Sequence, residues 1–262
     1  MTTAIRPVRE NYYGDAAQIP TPRKMNAGDV FGINHNPKLS KGEKLNVWTA
    51  IMYLAPSNAS GRNVCSAASA GCIAACLNTS GKGGMPVIQA ARIRKTNRFF
   101  DDRVNFMARA VHEIERHVTE AIAAGYTPAV RLNGTSDLPW ERIKCVRNGI
   151  TYPSLMAAFP NVQFYDYTKI PVSRRSPAAN YHLTFSLSES NDADALDALD
   201  AGYNVAAVFD VKSRGGKLPE TFMGRDVIDG DISDVRFYDP KGVIVGLKAK
   251  GDARGDSSGF VR

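Results

Sequence analysis

Histidine and cysteine are scarce in this chain, four of each in 262 residues. Four cysteines are too few for a disulfide scaffold, and a group of them in a reducing compartment more often marks metal or redox chemistry. His35, His112, His117 and His182 are scattered and form no metal motif. Long apolar runs are missing too, since nothing approaches the roughly 18 uninterrupted apolar residues of a membrane span. The opening residues, Met1 to Pro7, lack an apolar signal core, so the expectation is a protein that is not exported. Absent as well are the G-x-G-x-x-G of a dinucleotide-binding sheet and the G-x-S-x-G elbow of a serine hydrolase, and Ser80–Gly84 is only a fragment of a P-loop. Charge of one sign is not abundant: 33 Lys+Arg against 26 Asp+Glu leaves +7. That surplus is compatible with weak phosphate attraction and does not by itself mark a nucleic-acid binder.

What is present is ordinary globular material, 44% hydrophobic and 23% charged, long enough for a sizeable core. Residues 1–46 read as an irregular N-terminal arm with one short strand at Asp29–Ile33. Leu45–Leu54 is a near-continuous apolar run, the mark of a strand buried on both faces. Val87 to Ile122 carries apolar residues at spacings of three and four, which predicts a pair of helices with Asp101 or Asp102 as the cap between them and Gly125 as the stop. Strands are expected at Pro128–Leu132, Val162–Tyr167, Tyr181–Leu187, Asn204–Val211 and Val243–Leu247, with helices at Ser154–Ala158 and Asp194–Ala201. Strands alternating with helices predict a parallel sheet. The fold class expected is α/β: one barrel-like domain over 1–262, a partial or distorted βα (TIM-like) barrel of six or seven mostly parallel strands, with 249–262 a flexible tail.

The densest chemistry lies in Cys65-Ser-Ala-Ala-Ser-Ala-Gly-Cys72-Ile-Ala-Ala-Cys76. On a helix, Cys72 and Cys76 share one face, and Cys65 can return from the preceding loop. Small residues between them leave room for a bulky inorganic group. Three thiolates can hold three irons of a [4Fe–4S] cubane and leave the fourth iron open. Structural zinc would want a fourth ligand close by, and three small buried thiols is the plain alternative. Cys145, placed on a helix after Trp140-Glu141, reads as a small core hydrophobe outside the ligand set.

Three further stretches end predicted strands in polar groups, where catalytic and binding residues are commonly displayed. Residues 131–141 (RLNGTSDLPWE) offer Asn133, Ser136 and Asp137, with Gly134 allowing close backbone approach and Pro139 opening a helix. Residues 164–169 (FYDYTK) offer Tyr165 for stacking and Lys169 for a phosphate or carboxylate. Residues 184–190 place Ser186 and Ser188 on one strand face, followed by Glu189. The basic run Arg92–Arg98 has helical spacing and reads as a solvated face.

Read in order, the cysteine loop through Lys82, Ala91-Arg92-x-x-Lys95-Thr96, RLNGTSDLPWE, FYDYTK and NYHLTFSLSE (180–189) resemble a family of tailed-bacteriophage proteins named after gene product eighty-eight of a mycobacteriophage. The resemblance spans roughly residues 47–210. It implies a phage-encoded protein working in the cytoplasm of an infected bacterium, with iron–sulfur binding as the leading idea. Placement of the cysteine loop after the first buried strand is also similar to that of radical S-adenosylmethionine enzymes, although the spacing here is C-x6-C-x3-C where theirs is usually C-x3-C-x2-C.

The expectation is therefore an iron–sulfur protein whose cluster, held by Cys65, Cys72 and Cys76, faces a cavity lined by Asn133, Ser136, Asp137, Tyr165, Lys169, Ser186 and Glu189. S-adenosylmethionine or another small ligand would occupy the open iron, for radical or other redox chemistry. The rival is a nucleic-acid-binding phage factor with structural zinc or no metal.

Overall fold

A computed structural model of the chain describes residues 30–33, 41–211 and 215–262. The remainder of the expected N-terminal arm lies outside the described residues.

One nine-stranded sheet forms the frame, in the order β1-β2-β3-β6-β7-β8-β11-β10-β9. Its strands are β1 (Phe31–Ile33), β2 (Val47–Met52), β3 (Thr127–Arg131), β6 (Gln163–Thr168), β7 (Tyr181–Ser186), β8 (Asn204–Phe209), β9 (Thr221–Phe222), β10 (Arg225–Asp229) and β11 (Ile244–Lys248). Each pair from β2 across to β10 is parallel. The two outermost strands, β1 and β9, run antiparallel to their neighbours. A separate antiparallel hairpin, β4 (Cys145–Arg147) with β5 (Ile150–Tyr152), lies between β3 and β6 in sequence.

This corrects the expected TIM-like barrel. Closing a barrel requires the first and last parallel strands to pair with each other. Here β1 occupies the free edge of β2, and the β9–β10 pair extends the sheet beyond β11, so no closed barrel is formed by the described strands.

The helices are α1 (Ala70–Ala74), α2 (Pro86–Asp101), α3 (Arg103–Ala123), α4 (Leu155–Ala158) and α5 (Asp192–Asp200). Pro86 sits in the first turn of α2, where its missing N–H costs nothing. Asp102 starts α3 by accepting from Asn105 N, and Gly125, at φ +81°, follows its end. Phe99, Phe106 and Ile114 from this pair pack on Ala50, Met52, Val130 and Phe164 of the sheet. On α5, Ala195, Ala198 and Leu199 cover Phe185, Val205 and Ala207. The buried Glu113 carboxylate binds the β1 edge, accepting from Phe31 N at 2.9 Å and from Arg109 Nε at 2.8 Å.

The opposite face is covered by the chain after β10. Val235 and Phe237 pack on Val47, Ala129 and Tyr165. Ala249, Ala253 and Phe260 form a small cluster with Ala75, beside Cys72 and Val208, and Val261 bridges to Val208. The stretch expected as a flexible tail is thus packed against the sheet, because its sparse apolar residues are spaced to cover that face.

Candidate metal centre

The loops that leave the carboxyl ends of β2, β3, β6 and β7 are hydrogen-bonded to one another, and the cysteine segment is seated among them. Gly134 N donates to Met52 O at 2.9 Å, and Thr135 Oγ1 donates to Leu54 O at 2.5 Å. A Cβ at Gly134 would lie 2.6 Å from that same Met52 oxygen and 2.7 Å from the Tyr53 ring. Glycine is needed there for loop packing, which corrects the expectation of close approach to a ligand. Asp137 N donates to Val64 O at 2.8 Å, and Lys169 N donates to the Asp137 carboxylate at 2.7 Å. Glu189, just past β7, accepts from Ser69 Oγ at 2.7 Å and from Gly71 N at 2.8 Å. Ser69 in turn caps α1 by accepting from Cys72 N. Burial works against the Glu189 charge, but those two donors hold its carboxyl below the usual range.

Cys65, Cys72 and Cys76 are half-buried free thiols. Cys65 Sγ accepts from Ser57 N at 3.3 Å and lies 3.9 Å from Thr135 O. Helix α1 stops at Ala74, so Cys76 is extended and opens the next turn; the shared helical face expected for Cys72 and Cys76 is not formed. The three thiols nevertheless occupy one neighbourhood. Burial raises the Cys65 thiol to about 11, opposed by the Ser57 N–H, and the charges of Asp137, Cys76 and Cys72 push it further. Burial also raises Cys76, with Cys72 adding to the rise and Lys169 and Arg92 opposing it. At neutral pH these two thiols are protonated.

Of the seven expected lining residues, some are committed to the scaffold. Asn133 is buried, and its side-chain oxygen accepts from Ser136 Oγ at 2.9 Å, Leu138 N at 3.0 Å and Trp140 Nε1 at 3.0 Å. Asn133 and Ser136 therefore hold the 133–140 loop together. Tyr165 is fully buried, bonded to Thr49 Oγ1 at 3.0 Å and packed edge-on against Phe237, which removes it as a stacking platform. Glu189 anchors the cysteine loop. Asp137 keeps a buried Oδ1 without a hydrogen bond, 3.7 Å from Arg175 Nη1, and burial raises its carboxyl. Lys169 Nζ donates to Ser186 Oγ at 2.7 Å and lies 5.3 Å from the Phe260 ring centroid. Asp137 acts electrostatically on Cys65 and Lys169 on Cys76, and Ser186 is joined to them through Lys169.

Cys145 is fully buried in β4, not on a helix, and its thiol is pushed up to about 12 by burial. Among the described residues, no group of three His, Cys, Asp or Glu is gathered closely enough to hold a single metal ion, and no helix is long and apolar enough to cross a membrane.

The sequence profile of the Gene product 88 family matches residues 31–262. The chain belongs to the Gene product 88 family. It is a bacteriophage family of obscure function. No curated protein and no solved structure matches this Gene product 88 chain.

Two cations of this Gene product 88 protein were missed from its sequence. Arg92, expected on a solvated face, is buried beneath the cysteine loop, donating to Asn78 O at 3.1 Å and resting 4.9 Å from the Tyr53 ring centroid. Residues 63–91 carry a single charge, Lys82, and nothing in the local sequence marks Arg92 as buried. Arg175 is buried in a fork with Glu141, at 2.6 and 2.9 Å, and donates to Thr168 Oγ1 at 2.7 Å. Nothing in its local sequence marks it.

Proposed function

We propose that this chain holds one [4Fe–4S] cluster through Cys65, Cys72 and Cys76 and leaves one iron open to a small ligand. The observation that carries the reading is the seating of three half-buried free thiols in the loop and short helix that leave the carboxyl end of β2. Open parallel sheets place their ligands at that end. Three free cysteines are the donor type such a cluster takes. A lone zinc draws every sulfur to about 2.3 Å of one point. In a cubane each thiolate binds a different iron, so the sulfurs sit farther apart. A cluster with three thiolates is net negative, and Lys169 and Arg92 are the cations that act on Cys76.

A bound cluster would supply one-electron reduction and an open coordination position. Lys169, bonded to Ser186 and near the Phe260 ring, would be the cation to meet a carboxylate bound at the cluster. The amine and carboxylate of S-adenosylmethionine can chelate an open iron, and the loop's position after the first buried parallel strand favours it over a simple thiol. The proposed compartment is the cytoplasm of the infected host.

Anaerobic protein supplied with iron and sulfide is expected to be brown, with absorption at about 400 nm that disappears in the Cys65→Ala/Cys72→Ala/Cys76→Ala variant. Colourless protein carrying stoichiometric zinc would overturn this reading in favour of a structural-zinc, nucleic-acid-binding factor. Since bound thiolates must shed protons held by burial, cluster loading is expected to increase from pH 7 to about pH 9.

A further inference from the structure

Residues 249–262 run along the cysteine segment and touch it at several points. Thr79 Oγ1 donates to Asp252 Oδ2 at 2.6 Å, a bond between residues 173 apart in sequence. Gly251, at φ +56°, passes so close to Ser80 that a Cβ on it would collide with Ser80 Oγ. Ser258 Oγ lies against Gly71, where a Cβ would strike both that oxygen and the Glu189 carboxylate. Glycine stands at Gly71 and Gly251 because a side chain there would hold the two segments apart. Phe260 then packs with Ala75, Ala249 and Ala253, and Cys72 lies against this cluster. Cys65 does not: it packs against the large cluster under the helices on the other face of the sheet.

The segment is fastened to the sheet at both ends. β7 pairs with β8 as far as Ser186 opposite Ala206, and Val261 takes up the edge of β8 beyond that point. Arg262 N donates to Val208 O at 2.8 Å, and Asp210 N donates to Arg262 O at 2.9 Å. The Arg262 side chain adds bonds to Ser188 O at 2.7 Å and Asp192 at 2.6 Å. At the near end, Ala249 N donates to Phe209 O at 3.0 Å. Between these anchors lie one short 3-10 turn, Gly251–Gly255, and little apolar surface: Ala253 and the Phe260 ring. So small a contact opens locally at far less cost than the sheet unfolds.

We propose that residues 250–260 are a clasp over the cysteine segment that governs access to Cys72. Closed, it holds Phe260 against the Cys72 side of the loop. Opened between its two anchors, it admits iron, or the small ligand of an open iron, while Cys65 stays packed on the far side. What passes through rests on the cluster reading; the clasp itself does not.

Timed alkylation of the full-length, metal-free chain by iodoacetamide, with each cysteine mapped by mass spectrometry, tests the proposal. Phe260→Ala is expected to speed modification of Cys72 by about ten-fold and to leave Cys65 and Cys145 at their wild-type rates. Phe260→Leu, which keeps an apolar cover, should restore most of the protection. An unchanged Cys72 rate in Phe260→Ala would overturn the proposal. Should that variant unfold and expose all three cysteines alike, Asp252→Ala decides, since it removes only an exposed bond to Thr79: a faster Cys72 alone upholds the clasp, and no change overturns it. Supplying iron and sulfide separates the two readings. With a cluster, Phe260→Ala should take up and release iron faster than wild type; iron-free protein in every variant would sink the cluster and leave the alkylation result standing.

Discussion

Glu189 and Gly71 are 118 residues apart in sequence, and the carboxylate between them ties the end of β7 to the first turn of α1. The group is only half-buried, so solvent screening keeps its worth to global stability to about 1 kcal/mol or less. Its effect on the loop is local. Glu189→Ala is expected to leave Tm nearly unchanged while iron content after reconstitution falls several-fold, measured as metal per chain. Asn133 is the reverse case. Its oxygen satisfies three donors, so Asn133→Ala leaves buried groups unpaired and should cost about 3 kcal/mol in denaturant unfolding. At His182 the folded protein favours the neutral ring, with a value of about 4 against 6.5 unfolded. The unfolded chain therefore binds more protons between those values, and stability is lost on acidification through that window and fully present above it. His182→Gln should flatten this part of the stability–pH curve, by up to about 3 kcal/mol.

Among the elements, the parallel strands were legible because strands buried on both faces leave continuous apolar runs such as VWTAIM and NVAAVF. The α2–α3 pair was legible from its spacing and from Asp102. At the edges, β1 falls within the short strand expected at Asp29–Ile33, whereas β9, two residues long, is too short for any pattern and was not anticipated. The β4–β5 hairpin was missed although Asn148-Gly149, both at positive φ, is the dipeptide a tight hairpin turn prefers. Cys145 was placed on a helix for that reason. The polar density of 131–141 was read as a ligand site, yet much of it is a loop satisfying its own buried groups. Gly134→Ala, which forces a methyl against Met52 O and Tyr53, should destabilise by about 2 kcal/mol or more and loosen the loop beneath Cys65, seen as a lower unfolding midpoint.

Over the whole molecule, parallel strands placed next to one another in chain order bring the loops after β2, β3, β6 and β7 to one end of the sheet, and the last fourteen residues return to cover its open face. The cysteines alone identify a candidate centre; the sheet supplies Lys169, Asp137 and Glu189 around it, and the helix below supplies Arg92. The central claim is a cluster with three protein ligands and one open iron. Mössbauer spectroscopy of the iron-57 reconstituted protein, with and without a small chelating ligand, tests it most directly. The account predicts a cubane spectrum in which about one iron in four shifts when the ligand is added. A spectrum of four equivalent irons that no ligand perturbs, or iron bound without sulfide, would contradict it.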